Sequence, residues 1–138
     1  MRIVETDDLA ACHMLRRAVF IEEQNVPEAE EMDDLDDRAI HLLGQDDDGP
    51  WGTARLFVQG DTGKIARVCV LPRMRGTGAG AVLMRAALDA LRARPGVVRA
   101  KLSSQVHAIG FYEKLGFAAH GPVYDDAGIP HRDMSREL

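Results

Sequence analysis

The segment Lys64–Gly80 constrains this chain more than any other. Lys64–Leu71 alternates as a strand is expected to, placing Ala66, Val68 and Val70 on one face. Pro72 ends it, and Arg73-Met74-Arg75-Gly76-Thr77-Gly78-Ala79-Gly80 follows at once. A helix is then expected to run to about Arg94, burying Ala79, Val82, Leu83, Ala86 and Ala90, with Arg85 and Asp89 paired on its outer side. Strand, glycine-rich loop and helix in this order form a phosphate-binding arrangement. The glycines let main-chain N–H groups approach an anion, and the helix N-terminus adds unpaired donors and the positive end of its dipole. A plain tight turn is the structural alternative.

The rest of the chain reads as an α+β pattern. Arg2–Glu5 is a short strand, and Thr6, Asp7 and Asp8 offer caps for a helix from about Asp8 to Gln24 with the stripe Leu9, Cys12, Leu15, Val19 and Phe20. Glu28–Asp37 holds seven carboxylates and reads as a loop or short helix, solvated and mobile, or else as an attractor for a polyamine or basic peptide. Arg38–Leu43 and Trp51–Gln59 are strands. In Trp51–Gln59, Ala54, Leu56 and Val58 face one way and Thr53, Arg55 and Phe57 the other. Gly60-Asp61-Thr62-Gly63 turns the chain into the strand from Lys64. Val97–Ser103 is a strand, Gln105–Leu115 a short helix ended by Gly116, and Phe117–Tyr124 with Ile129–Glu137 a final hairpin. The order is βαβββαβαββ: one domain over residues 1–138, with a mostly antiparallel mixed sheet flanked by helices.

Charge is unevenly spread. The chain carries a net charge of −5, composed of −11 over residues 1–50, +8 over residues 51–110 and −2 over residues 111–138. One side is expected to be cationic and one anionic, the latter favouring a cationic ligand. The basic middle segment is accounted for by the loop and by helix surface, and its flanks are acidic, so nucleic acid is not expected as a partner. No stretch reaches the roughly 20 apolar residues that span a bilayer, and MRIVETDDLA lacks the apolar core of a secretory leader. The two cysteines, Cys12 and Cys69, lie in apolar patterns and are expected as buried thiols. Together these features imply the cytoplasm, with no membrane partner. The five histidines show no metal-ligand spacing, so no metal is expected. A P-loop is excluded because the loop lacks the lysine that pattern requires. Gly76-x-Gly78-x-x-Ala81 fits a relaxed dinucleotide fingerprint, but the next strand ends without the acidic residue a ribose needs.

Val68 through Gly80 resembles the acetyl-CoA pyrophosphate loop of GNAT N-acetyltransferases, whose pattern is Arg/Gln-x-x-Gly-x-Gly/Ala. Phe111-Tyr112-Glu113-Lys114-Leu115-Gly116-Phe117 resembles that superfamily's fourth-helix signature. Val19–Pro27, Asp37–Leu43, Gly128–His131 and Gln105-x-His107 are similar to the ElaA/YjcF-like branch. The resemblance spans nearly the whole chain and implies a GNAT (acyl-CoA N-acyltransferase) fold and acetyl transfer from acetyl-CoA to a primary amine of a small molecule or basic peptide. A non-catalytic acyl-CoA-binding module is the alternative, and a homodimer is a further expectation from the family.

The resemblance also implies roles. Val68, Cys69 and Val70 would offer main-chain groups to the pantetheine arm, with Cys69 not a nucleophile. Arg73, Arg75, Gly76, Thr77, Gly78, Ala79 and Gly80 would cradle the pyrophosphate, and Gln105, His107 and Phe111 would complete the coenzyme site. Tyr112 matches the tyrosine that protonates the departing thiolate. Glu23, His41 and His107 are candidate bases for the attacking ammonium. Arg55 and Arg67 border the site or pair with the acidic segment.

Overall fold

The computed structural model describes residues 1–138. Strands β1 (Arg2–Thr6), β2 (Ile40–Asp46), β3 (Gly49–Gln59), β4 (Thr62–Val70), β5 (Arg99–Gln105), β6 (Ala118–Asp126) and β7 (Ile129–Glu137) form one sheet in the order β1-β2-β3-β4-β5-β7-β6. All neighbours are antiparallel except β4 and β5, which are parallel and joined by the crossover helix α3 (Ala79–Arg92). Helix α1 (Leu9–Arg16), α2 (Glu28–Glu31) and α4 (Ile109–Glu113) complete the flanking elements. The element order agrees with the sequence reading. The final hairpin turns through Ala127 and Gly128, both at positive φ, the signature of a tight two-residue connection. No helix is long and apolar enough to cross a membrane.

Each face of the sheet carries its own apolar cluster. On one, α3 packs Leu83, Met84, Leu88 and Leu91 against Trp51, Leu56, Ile65 and Leu102. On the other, Cys12, Leu15 and Val19 meet Leu43 and Cys69. Both cysteines are free and buried. Burial pushes the Cys69 thiol up to about 12, so no thiolate is available there at neutral pH.

Three local readings need correction. The buried stripe of α3 is Ala79, Leu83, Met84, Ala87, Leu88 and Leu91, whereas Val82 is exposed and Ala86 and Ala90 are half-buried. So many of its residues are small or apolar that several stripes fit the sequence equally well. Asp89 pairs with Arg92, not Arg85. The first helix is α-helical only to Arg16 and widens into a π-helical segment, Arg17–Glu23, where Gln24 N–H reaches back five residues to the Val19 carbonyl.

The third correction lies in β4. Thr53 pairs with Cys69 and Arg55 with Ala66, so two steps along β3 match three along β4. The extra residue sits at a bulge around Arg67, whose φ is +52°. Alternation therefore reverses within the strand. Ile65 faces α3 before the bulge, and Val68 and Val70 face it afterwards, so Ala66 does not share their face. Cys69 points the opposite way from the two valines, as the alternation of residues 68–70 implies.

The acidic segment also differs from the solvated loop expected of it. Glu31 and Asp36 are buried. Arg16 donates from Nε to Glu31 at 2.9 Å and from Nη1 to Asp36 at 2.9 Å. Arg55 donates to Asp33 at 2.8 Å and to Asp36 at 3.1 Å, and Arg67 lies 3.2 Å from Glu31. Three arginines from α1, β3 and β4 thus fasten three carboxylates over the sheet. Burial alone would raise the pKa of Asp36. Hydrogen bonds from Arg16, His13 and Arg55 outweigh it and hold the carboxyl well below its usual range.

Candidate active site

Strands β4 and β5 pair only from Thr62–Ile65 to Arg99–Leu102. Beyond that, Ala66–Val70 pair only with β3, and Ser103–Gln105 only with β7. The sheet therefore opens into a wedge, and a cavity of about 780 Å³ runs from it over the paired segment at Lys64 and Lys101. That volume suits a small ligand. Val68 and Ala66 form one wall, Ser103 and Gln105 the other, Tyr112 lies on the α4 side, and Phe20 of the π-helical segment and Gln24 just after it also line the cavity. Gln105 spans the wedge, donating from Nε2 to Gln24 Oε1 at 2.8 Å and accepting from His107 Nε2 at 2.7 Å.

The glycine-rich loop continues from the end of β4. Gly76 and Gly78 adopt φ of +76° and +87°, which side-chain-bearing residues rarely tolerate. The main-chain N–H groups of Gly76, Gly78, Gly80 and Ala81 have no hydrogen-bond partner within the protein, and Ala79 N–H is taken by Thr77 Oγ1 at 3.3 Å. Four free donors at the start of a fourteen-residue helix fit an anionic group such as a pyrophosphate. Phe111 covers this end: a Cβ placed on Gly80 would lie 3.4 Å from its ring.

Tyr112 stands edge-on to Phe111 and Phe117, at ring-centroid distances of 5.0 and 6.1 Å. Burial alone pushes its hydroxyl up to about 12, so the phenol keeps its proton throughout the neutral range.

The remaining sequence candidates are dispersed. Arg75 donates from Nε to the Val70 carbonyl at 3.0 Å and grips Glu23 with both terminal nitrogens. Glu23 therefore balances the loop arginine and is absent from the cavity wall. The Arg75 hydrogen bonds keep its carboxyl below the usual range, against a weaker opposing effect of burial. Arg73 turns to the β2–β3 connection and pairs with Asp46 at 3.0 Å, away from the free amides. His41 is 5% exposed, its Nε2 lies 2.9 Å from the Asp36 carbonyl, and it does not line the cavity. His107 is exposed and reaches the cavity only through Gln105.

Sequence reasoning gave no role to His131, which the structure places in the cavity wall. Its Nδ1 donates to the Ile129 carbonyl at 2.7 Å, so the neutral ring keeps a lone pair on Nε2. Its place in Gly128–His131, a segment already matched to the family, was the available signal.

The family model for the acetyltransferase (GNAT) domain matches residues 6–138. The chain belongs to the GNAT acetyltransferase family. It is 35% identical to YjcF of Bacillus subtilis, described as an uncharacterized N-acetyltransferase, over 95% of this chain and 94% of that protein. It is 34% identical to ElaA of Escherichia coli over 98% of this chain and 91% of that protein. The crystal structure of Escherichia coli ElaA superposes with a TM-score of 0.86, covering 99% of this chain and 97% of that one. An aminoglycoside 6'-N-acetyltransferase, solved with coenzyme A, shares the fold at 20% identity and a TM-score of 0.76, covering 99% of this chain and 97% of that one. The GNAT fold and the ElaA/YjcF branch thus agree with the motif reading.

Proposed function

We propose that this chain transfers an acetyl group from acetyl-CoA to the primary amine of a small molecule or peptide. The observation that carries the reading is the wedge between β4 and β5, with Tyr112 in the cavity wall and the free amides of Gly76, Gly78, Gly80 and Ala81 on the loop that follows β4. Coenzyme A in the solved aminoglycoside acetyltransferase of the same fold supports it.

Acetyl-CoA supplies an activated thioester. The loop amides and Arg75 hold the pyrophosphate, which requires Arg75 to share or release Glu23. The unpaired edge of β4 around Val68–Val70 receives the pantetheine arm as an added strand would, and a main-chain N–H there steadies the negative charge that develops on the carbonyl oxygen. His131 Nε2 accepts the proton the ammonium must lose. The amine nitrogen bonds to the carbonyl carbon, the carbon–sulfur bond breaks, Tyr112 gives its proton to the departing sulfur, and the second proton lost from the acetylated nitrogen restores the tyrosyl hydroxyl. No covalent enzyme intermediate is required.

Calorimetric titration with acetyl-CoA, with NADH as control, tests the coenzyme. Amine-dependent release of CoA thiol tests the reaction. Saturable acetyl-CoA binding is expected, together with a fall in kcat of roughly a hundredfold in Tyr112→Phe and a fall of similar order in His131→Gln. Acetyl-CoA binding without release for any amine would leave an acyl-CoA-binding module instead.

A further inference from the structure

The cavity wall carries charge of one predominant sign. Arg38, Arg55, Lys64, Arg67 and Lys101 line it, against a single carboxylate, Asp126. Arg55 and Arg67 are already matched by Asp33 and Glu31. Arg38, Lys64 and Lys101 are exposed, and none takes part in an ion pair. Lys64 and Lys101 are direct neighbours across the β4–β5 pairing, which sets two like charges side by side. A protein of net charge −5 thus holds a surplus of positive charge in its cleft.

We infer that the acceptor is an amine that also bears an anionic group, a carboxylate or a phosphate, and not a polyamine or basic peptide. This rests on the transfer reading above. The reacting amine, once neutral, is indifferent to the lysines, whereas a second cationic centre on the same molecule is repelled by them. An anionic tail docks against Lys64, Lys101 and Arg38 and leaves the amine toward Val68 and Tyr112, deeper in the wedge. The acidic segment that suggested a cationic ligand from sequence does not counter this, because its buried carboxylates are consumed by Arg16, Arg55 and Arg67. The charge in the wall also steers an anion from a distance, so the preference weakens as salt rises.

The test is CoA release measured at matched ionic strength with O-phosphoethanolamine, β-alanine, ethanolamine and 1,3-diaminopropane, on the full chain. At least one anionic amine is expected to exceed the diamine tenfold or more in kcat/KM, and the better of the two distinguishes phosphate from carboxylate. The Lys64→Gln, Lys101→Gln double variant is expected to raise the acceptor KM for that amine about tenfold with little change in kcat, and Lys64→Arg to restore part of it. A merely structural role for the lysines would move kcat and KM alike. Preference for the diamine, or an unchanged acceptor KM in the double variant, overturns the inference while the transfer reading stands. Failure to bind acetyl-CoA at all removes both.

Discussion

Two groups of arginines and lysines lie within a few residues of one another and are treated in opposite ways. Arg16 and Arg55 are buried and Arg67 is half-buried, and all three are matched by Glu31, Asp33 and Asp36. Arg38, Lys64 and Lys101 stand in the cleft with no acidic partner. The same charge is structural in the first group and available in the second. Desolvation decides which. A buried cation left without its partner would be costly, so the fold supplies one. A hydrated cation at the mouth of a cleft needs none, and stays free for a ligand.

The sharpest way to break the contrast is to remove a partner from the buried group. Asp36→Ala should cost about 3–5 kcal/mol, since it strands Arg16 and Arg55 together. The urea midpoint measures it, and a loss below 1 kcal/mol would show the network to be dispensable. Acid probes the same group more gently. The pKa of Asp36 is depressed by folding, so its contribution is fully present above about pH 4 and is lost as the pH falls below that value. Stability should therefore begin to drop as the pH falls below about 4 and keep falling below pH 3 in urea titrations, and Asp36→Asn should flatten that slope. The smallest effect is expected on the other side of the comparison. Lys64→Gln with Lys101→Gln should change stability by no more than about 0.5 kcal/mol, in the direction of a gain because like charges are relieved. A larger loss in thermal melting would mean that the lysines brace the sheet.

Sequence carried the loop and the element order well, because both depend on neighbours in the chain: Gly76 and Gly78 demand their φ values locally, and Pro72 and Gly116 end elements where they stand. The family motifs carried Tyr112 to the cavity. What sequence did not show depends on distance in the chain. Asp36 reads as one more acid in an acidic run until Arg55, nineteen positions on, is folded against it. Arg75 reads as a free phosphate ligand until Glu23, fifty-two positions earlier, grips it. The β4 bulge was invisible for another reason: Arg67 is not a residue type that announces positive φ, and its ion pair with Glu31 is what helps to hold it there.

That bulge makes β4 behave like a reading frame. It absorbs one extra residue, so that Val68 and Val70 turn to α3 as Ile65 does, while Cys69 turns to α1. Exchanging Val68 for isoleucine alters volume alone and leaves the phase intact. Straightening the bulge at constant length would exchange the two sides of the strand from there to the loop, whereas deleting a single residue between Ile65 and Val68 would remove the bulge and leave both sides as they are. Over these few positions, what keeps the valines on their side is the local backbone conformation at Arg67 as much as the identity of the residues after it.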